Sequence, residues 1–173
     1  MARRSGGPTL RTQKRTALMV GEGLGDETFL RHLKLLYLLR RDGDMRITIK
    51  KAKGKAGAHV LDFTRRQCKM ADYDCRLALL DTDTDWDDAQ RRNATQWGME
   101  VVEATPCLEA LLLRIADIKP AATSAGCKKA FTKRFNAEAH TPGVYHRHFP
   151  QALLDTARTR VPELDQLIRF LQQ

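Results

Sequence analysis

Residues 17–30 read ALMVGEGLGDETFL and residues 77–88 read LALLDTDTDWDD. In both stretches a short apolar run stops abruptly at acids. A run of four to eight apolar residues closed by a turn signal has the length of a buried strand rather than of a helix. Ala17–Glu22 therefore reads as a strand ending in a Gly-Glu-Gly turn. Cys75–Leu80 (CRLALL) reads as a second strand ending in an acidic run.

The intervening and following residues alternate in type. Asp26–Arg40 places Phe29, Leu30, Leu33, Leu36 and Tyr37 at helical spacing, with Asp26 available as a cap. Met45–Lys50 alternates like a strand. The Lys/Gly-rich segment KKAKGKAGA follows, and then a helix over His59–Lys69. Asp87–Trp97 reads as a helix, Met99–Glu103 as a strand and Cys107–Ala116 as an amphipathic helix. Beyond Pro120 the pattern is helical over Ser124–Phe135, Pro150–Thr159 and Pro162–Leu171, with Asn136–Pro150 as a loop. Strands separated by helices imply βαβ crossovers, and so an α/β fold with a Rossmann-like, mostly parallel sheet flanked by helices. The expected organisation is a basic flexible arm over 1–16, an α/β core over 17–120 and a helical C-terminal extension over 121–173 packed on that core.

The placement of the acids points to chemistry. Glu22 closes the first strand, and Asp81 and Asp83 close the third. Ligands of open parallel sheets bind outside the carboxyl ends of strands. If the extended backbone continues past Leu80, Asp81 and Asp83 aim the same way. Converging carboxylates repel unless a hard cation lies between them, and Mg²⁺ or Mn²⁺ suits an all-oxygen ligand set that also takes phosphate. The run DTDTDWDD lacks the mid-loop Gly and terminal Glu of a calcium-binding EF-hand loop. Asp85 or Asp87 in it is expected to cap the next helix. Gly21–Gly25 is not a dinucleotide fingerprint, since its glycine spacing is wrong and Glu22 would repel a pyrophosphate. A Walker A motif is excluded by the missing Gly-Lys-Ser/Thr.

Lys and Arg number 30 against 21 Asp and Glu, a formal charge of +9, which favours a polyanionic partner such as nucleic acid. Lys50, Lys51, Lys53 and Lys55, with Arg65, Arg66 and Lys69 on the next helix, read as a phosphate-binding patch beside the acids. The four cysteines are widely spaced without a CxxC pair, so they read as reduced and mostly buried rather than as disulfides or a zinc site. His146 and His148 read as loop histidines, His32 as structural, and Trp86 and Trp97 as core residues. The chain shows no signal-peptide pattern and no apolar run of membrane-spanning length, so a cytoplasmic protein that does not enter the membrane is expected.

Taken together, ALMVGEGLGDETFL and LALLDTDTD, about 60 residues apart, resemble the two motifs of the Toprim domain. The first of those is a strand, Glu-Gly and a further acid opening a helix; the second is a strand ending in Asp-x-Asp. VVEATPCLEALLL, with Pro106, Cys107 and Glu109 and with Thr105 near a Ser position, resembles a third segment. That segment belongs to the small RloB-like and overcoming-lysogenization-defect Toprim nucleases. Gly21 stands where such motifs carry a hydrophobic residue or Cys, which predicts a strand ending one residue early.

The resemblance implies Glu22 as the acid/base or metal-bridging carboxylate and Asp81 and Asp83 as ligands of Mg²⁺ or Mn²⁺. It implies Asp26 or Glu27 as an additional acid and Glu109 as a supporting one. Lys128, Lys129 or Lys133 would supply a cation to the transition state, with Lys128 favoured. The activity implied is metal-dependent phosphodiester hydrolysis of DNA or RNA, as in phage-defence effectors that work with an ATPase partner. Two alternatives stand beside it: a non-catalytic metal- and nucleic-acid-binding regulatory subunit of an ATPase-containing complex, and a phosphoryl-transfer enzyme acting on a small nucleotide. The chain is too short for strand passage, so a topoisomerase is excluded.

Overall fold

The computed structural model describes residues 14–38, 45–53 and 56–173. Most of the expected N-terminal arm, and Lys55 of the expected phosphate patch, lie outside the described residues. Four strands form one sheet: β1 (Arg15–Gly21), β2 (Met45–Lys51), β3 (Cys75–Asp81) and β4 (Glu100–Ala104). All pairings are parallel, in the order β2-β1-β3-β4. The sheet is thus wholly rather than mostly parallel, and the fold is α/β and Rossmann-like.

Helix α1 (Leu24–Tyr37) links β1 to β2, α2 (Gly57–Met70) links β2 to β3, and α3 (Asp88–Gln96) links β3 to β4. The chain moves outward one way from β1 to β2 and then the opposite way through β3 to β4. With right-handed crossovers, that reversal places α1 on one face and α2 and α3 on the other. The strand alternation matches. Ala17, Met19, Leu77, Leu79 and Val102 pack with Phe29, Leu30 and Leu33 of α1. Leu18, Val20, Ala78 and Leu80 pack with Val60 and Leu61 of α2 and with Trp86 and Ala94.

The α1 face is the larger. On it lie α4 (Leu108–Ile115), α5 (Ser124–Phe135), α6 (Pro142–His148), α7 (Gln151–Ala157) and α8 (Pro162–Leu171). They bring Leu111, Phe131, Tyr145, Phe149, Leu164 and Phe170 into the same core as β1 and α1. Helix α4 is apolar nearly all round, as a helix covered on both sides must be. Helix α6 falls in the segment read as a loop. Its start signal was Pro142 in the first helical turn, where a missing N–H costs nothing. Val144 and Tyr145 are its buried residues, and seven residues are too few to show a period.

Candidate metal centre

The sheet order reverses between β1 and β3, and a parallel sheet opens its crevice at the carboxyl ends of such a strand pair. Both strands end there in acids. β1 stops at Gly21, one residue before Glu22, as the departure at Gly21 predicted, and β3 ends on Asp81 itself. The Asp81 backbone N–H donates to Glu22 Oε2 (3.3 Å), so the glutamate reaches across from one strand end to the other. Gly21 is required by how closely α1 sits over the strand end. A Cβ there would lie 2.4 Å from the Asp26 Cβ and 3.0 Å from the Glu27 nitrogen.

Each acid is fastened by one oxygen. The Leu108 N–H, at the first turn of α4, donates to Asp81 Oδ1 (2.9 Å). The Gly23 N–H donates to Asp26 Oδ2 (2.9 Å), which closes the first turn of α1. Gly23 rather than Asp26 is therefore the N-cap, with Asp26 three residues inside the helix. The Ser124 hydroxyl, at the start of α5, donates to Asp83 Oδ2. The Gly57 N–H, at the start of α2, donates to Asp85 Oδ1 (2.9 Å). Helix starts carry partial positive charge and so stabilise carboxylates placed beside them.

The fold leaves these acids under-neutralised. Asp26 is 5% exposed, and its Oδ1 is buried without any partner. Burial raises its carboxyl well above the usual carboxylate range, and the charges of Glu22 and Glu109 raise it further against the pull of the Gly23 amide. Asp81 is also raised, first by burial and then by Asp26, Glu22, Asp83 and Glu109. Burial raises Glu22 too, and Asp83 and Asp85 add to this while the Asp81 amide and Lys128 oppose it. Lys128 supplies the cation: burial pulls its ammonium down, but Glu109, Asp81 and Asp83 more than offset that and hold it above its ordinary value. Lys128, Lys129 and Lys133 are all exposed residues of α5, and the charge of Lys128 tells on Glu22.

Not every expected site residue joins the cluster. Glu27 turns to Arg31, which donates from Nη2 (2.8 Å) and Nε (3.2 Å), with Lys51 Nζ 3.8 Å from its other oxygen. Asp83 does not continue the strand alternation, because β3 ends at Asp81 and a bend begins. Ser124 holds it instead. Of the basic patch, Lys51 lies beside α1, but Lys50 donates to Gln67 on the other face. Arg65 stacks over Trp97 (4.9 Å), and Arg66 lines a groove with Asp62 and Lys69. Those arginines stand more than two turns along α2 from Gly57, about 12 Å toward the opposite sheet edge. Asp87 is the cap of α3, accepting from Ala89 and Gln90. Asp85 instead joins the α2 start to the acids, a role not read from the sequence, although its two-residue offset from Asp83 was visible.

Among the described residues, no group of three or more His, Cys, Asp or Glu side chains is arranged so as to hold a metal ion. The chemistry of the acids is nevertheless that of ligands for a hard divalent cation. The donor set is all oxygen, three of its carboxyls are destabilised as anions, and Asp26 Oδ1 is buried with nothing to bind. Cys107 offers no competing nucleophile, since burial above all pushes its thiol up to about 12. Beside the acids a cleft of about 390 Å³ opens between the first turn of α1 and α5, lined by Leu24, Glu109, Lys128, Thr132 and His140. Comparison with protein-family models, with curated proteins and with solved structures gives no match.

Proposed function

We propose that the chain is a Toprim-type nuclease that hydrolyses phosphodiesters of DNA or RNA with Mg²⁺ or Mn²⁺. The observation that carries this reading is the convergence of Glu22, Asp26, Asp81 and Glu109 at the β1/β3 switch point, with Lys128 as their counter-charge. Glu22, Asp81 and Asp83 would hold the cation, with Asp26 and Glu109 behind them. When bound, it supplies charge neutralisation and Lewis acidity at the phosphodiester.

The chain's own groups do the rest. Glu22 is only partly buried and reaches across the strand ends to the Asp81 amide, so it is placed to bridge the cation or to face an attacking water. The Lys128 ammonium meets the charge that grows on the phosphoryl oxygens. Lys51 and Lys53 leave β2 at the same edge of the sheet and hold the backbone without reading bases.

The test is cleavage of supercoiled plasmid and of structured RNA in Mn²⁺, Mg²⁺ or EDTA, with wild type and Asp81→Ala. The expected result is metal-dependent cleavage that disappears in the variant while its circular dichroism is unchanged. Cleavage of only a small nucleotide would move the chain to phosphoryl transfer. Metal binding without cleavage would make it the regulatory subunit of a larger assembly. Cleavage that survives both EDTA and the substitution would overturn the reading.

A further inference from the structure

A second cleft, of about 190 Å³, lies between α1 and α6, lined by His32, Leu35, Tyr145 and His146 among others. His32, one of the residues lining it, is 6% exposed. Its Nε2 lies 2.8 Å from the Phe149 carbonyl oxygen, which can only accept. Nε2 therefore carries the proton, and Nδ1 presents a bare lone pair. That Nδ1 is buried and has no hydrogen-bond partner. An unsatisfied buried acceptor is costly and calls for an occupant.

The neighbouring ring indicates the occupant. His146 stands edge-on to His32, with centroids 5.4 Å apart and planes at 86°. Two imidazoles sharing one tetrahedral cation at Zn–N distances of about 2.1 Å would have centroids about 5.2 Å apart. His146 is exposed on the short helix α6, so its ring can turn without disturbing the core. A ligating histidine typically donates its other N–H to a backbone carbonyl, as His32 does to Phe149. Arg31, the cation lining this cleft, has its guanidinium bound to Glu27. Burial and the nearby His146 hold His32 below its ordinary pKa, against the Phe149 carbonyl, and so keep it in the neutral form that ligates.

We infer that His32 Nδ1 and His146 form a binding site for a borderline transition-metal ion such as Zn²⁺, Ni²⁺ or Cu²⁺, clamping α6 onto α1. Imidazole nitrogen selects these ions over Mg²⁺ and Mn²⁺, so the site is chemically distinct from the acidic centre and does not depend on the nuclease reading. With two protein ligands, the remaining positions go to water at the cleft mouth.

The test is Cu²⁺ electron paramagnetic resonance and Zn²⁺ calorimetry on the full chain carrying Asp81→Asn, so that the acidic centre does not contribute. His146→Ala removes an exposed side chain and leaves the fold intact; His140→Ala controls for the other exposed histidine beside an acid. The inference expects one ion per chain, ¹⁴N couplings from two imidazoles, and at least tenfold weaker binding in His146→Ala but not in His140→Ala. Failure to bind, or binding unchanged in His146→Ala, would overturn it.

Discussion

Asp81 is the residue on which the account turns, because the fold pays for its position. It ends β3 with one oxygen on the first amide of α4, and four other carboxylates raise the cost of its charge. Asp81→Asn removes that charge and keeps the shape. In EDTA the variant should be more stable than wild type by about 1 kcal/mol, the usual sign for relieving a strained functional site, and urea melts would show it. Lys128→Met tests the opposite charge: cleavage should slow about 100-fold, a typical cost of losing one transition-state donor, while Mn²⁺ binding survives. Steady-state rates beside Mn²⁺ titrations separate the two effects. Glu22 and Asp81 were legible at this scale because each immediately follows a short apolar run. Glu27 was not, since its diversion to Arg31 depends on which side of α1 faces the sheet end. Asp85 and Ser124 were missed for a similar reason: their roles need two helix starts that only the folded chain brings to one place.

At the scale of the elements, the centre is built from helix starts seated on strand ends. Gly21 is where that fit is tightest, and a methyl group there has nowhere to go. Gly21→Ala should cost about 2 kcal/mol, in the range for overpacking, and should also weaken Mn²⁺ binding by displacing the first turn of α1. Equilibrium unfolding and metal titration on the same variant would show both. Strands β1 and β3 could be read as short apolar runs closed by acids and β2 by its alternation, with α1, α2, α5 and α8 as the helical stretches around them. The extent of α2 shifted to Gly57, because its start is held by Asp85 and packed against Trp86 rather than marked by a local cap. Helix α6 escaped notice because two aromatic anchors, Tyr145 and Phe149, tie it down rather than any periodicity.

Over the whole molecule, the helices after Pro120 are not an appendage in packing terms, since they share one core with β1 and α1. Tyr37 of α1 ties the two parts together by donating to Asp155 of α7 (2.7 Å). Burial raises the Tyr37 phenol well above its ordinary value, and the Asp155 hydrogen bond and charge raise it further. The folded chain thus keeps a proton that the unfolded chain releases near pH 10, so this contribution is complete below about pH 10 and is lost as pH rises beyond it. Tyr37→Phe should flatten the alkaline limb of stability against pH, read by urea midpoints from pH 8 to 11. Among the described residues, no helix is long and apolar enough to cross a membrane. The chain as a whole carries a formal charge of +9, opposite in sign to the cluster of acids at the β1/β3 switch point.

The most direct test of that centre is Mn²⁺ binding, followed by electron paramagnetic resonance of free Mn²⁺ and by the thermal midpoint. Wild type should bind Mn²⁺, gain several degrees in its midpoint and lose that gain on adding EDTA, whereas Asp81→Asn should show neither binding nor gain. Equal Mn²⁺ binding by both proteins, or by neither, would contradict the assignment of the β1/β3 switch point as a metal centre.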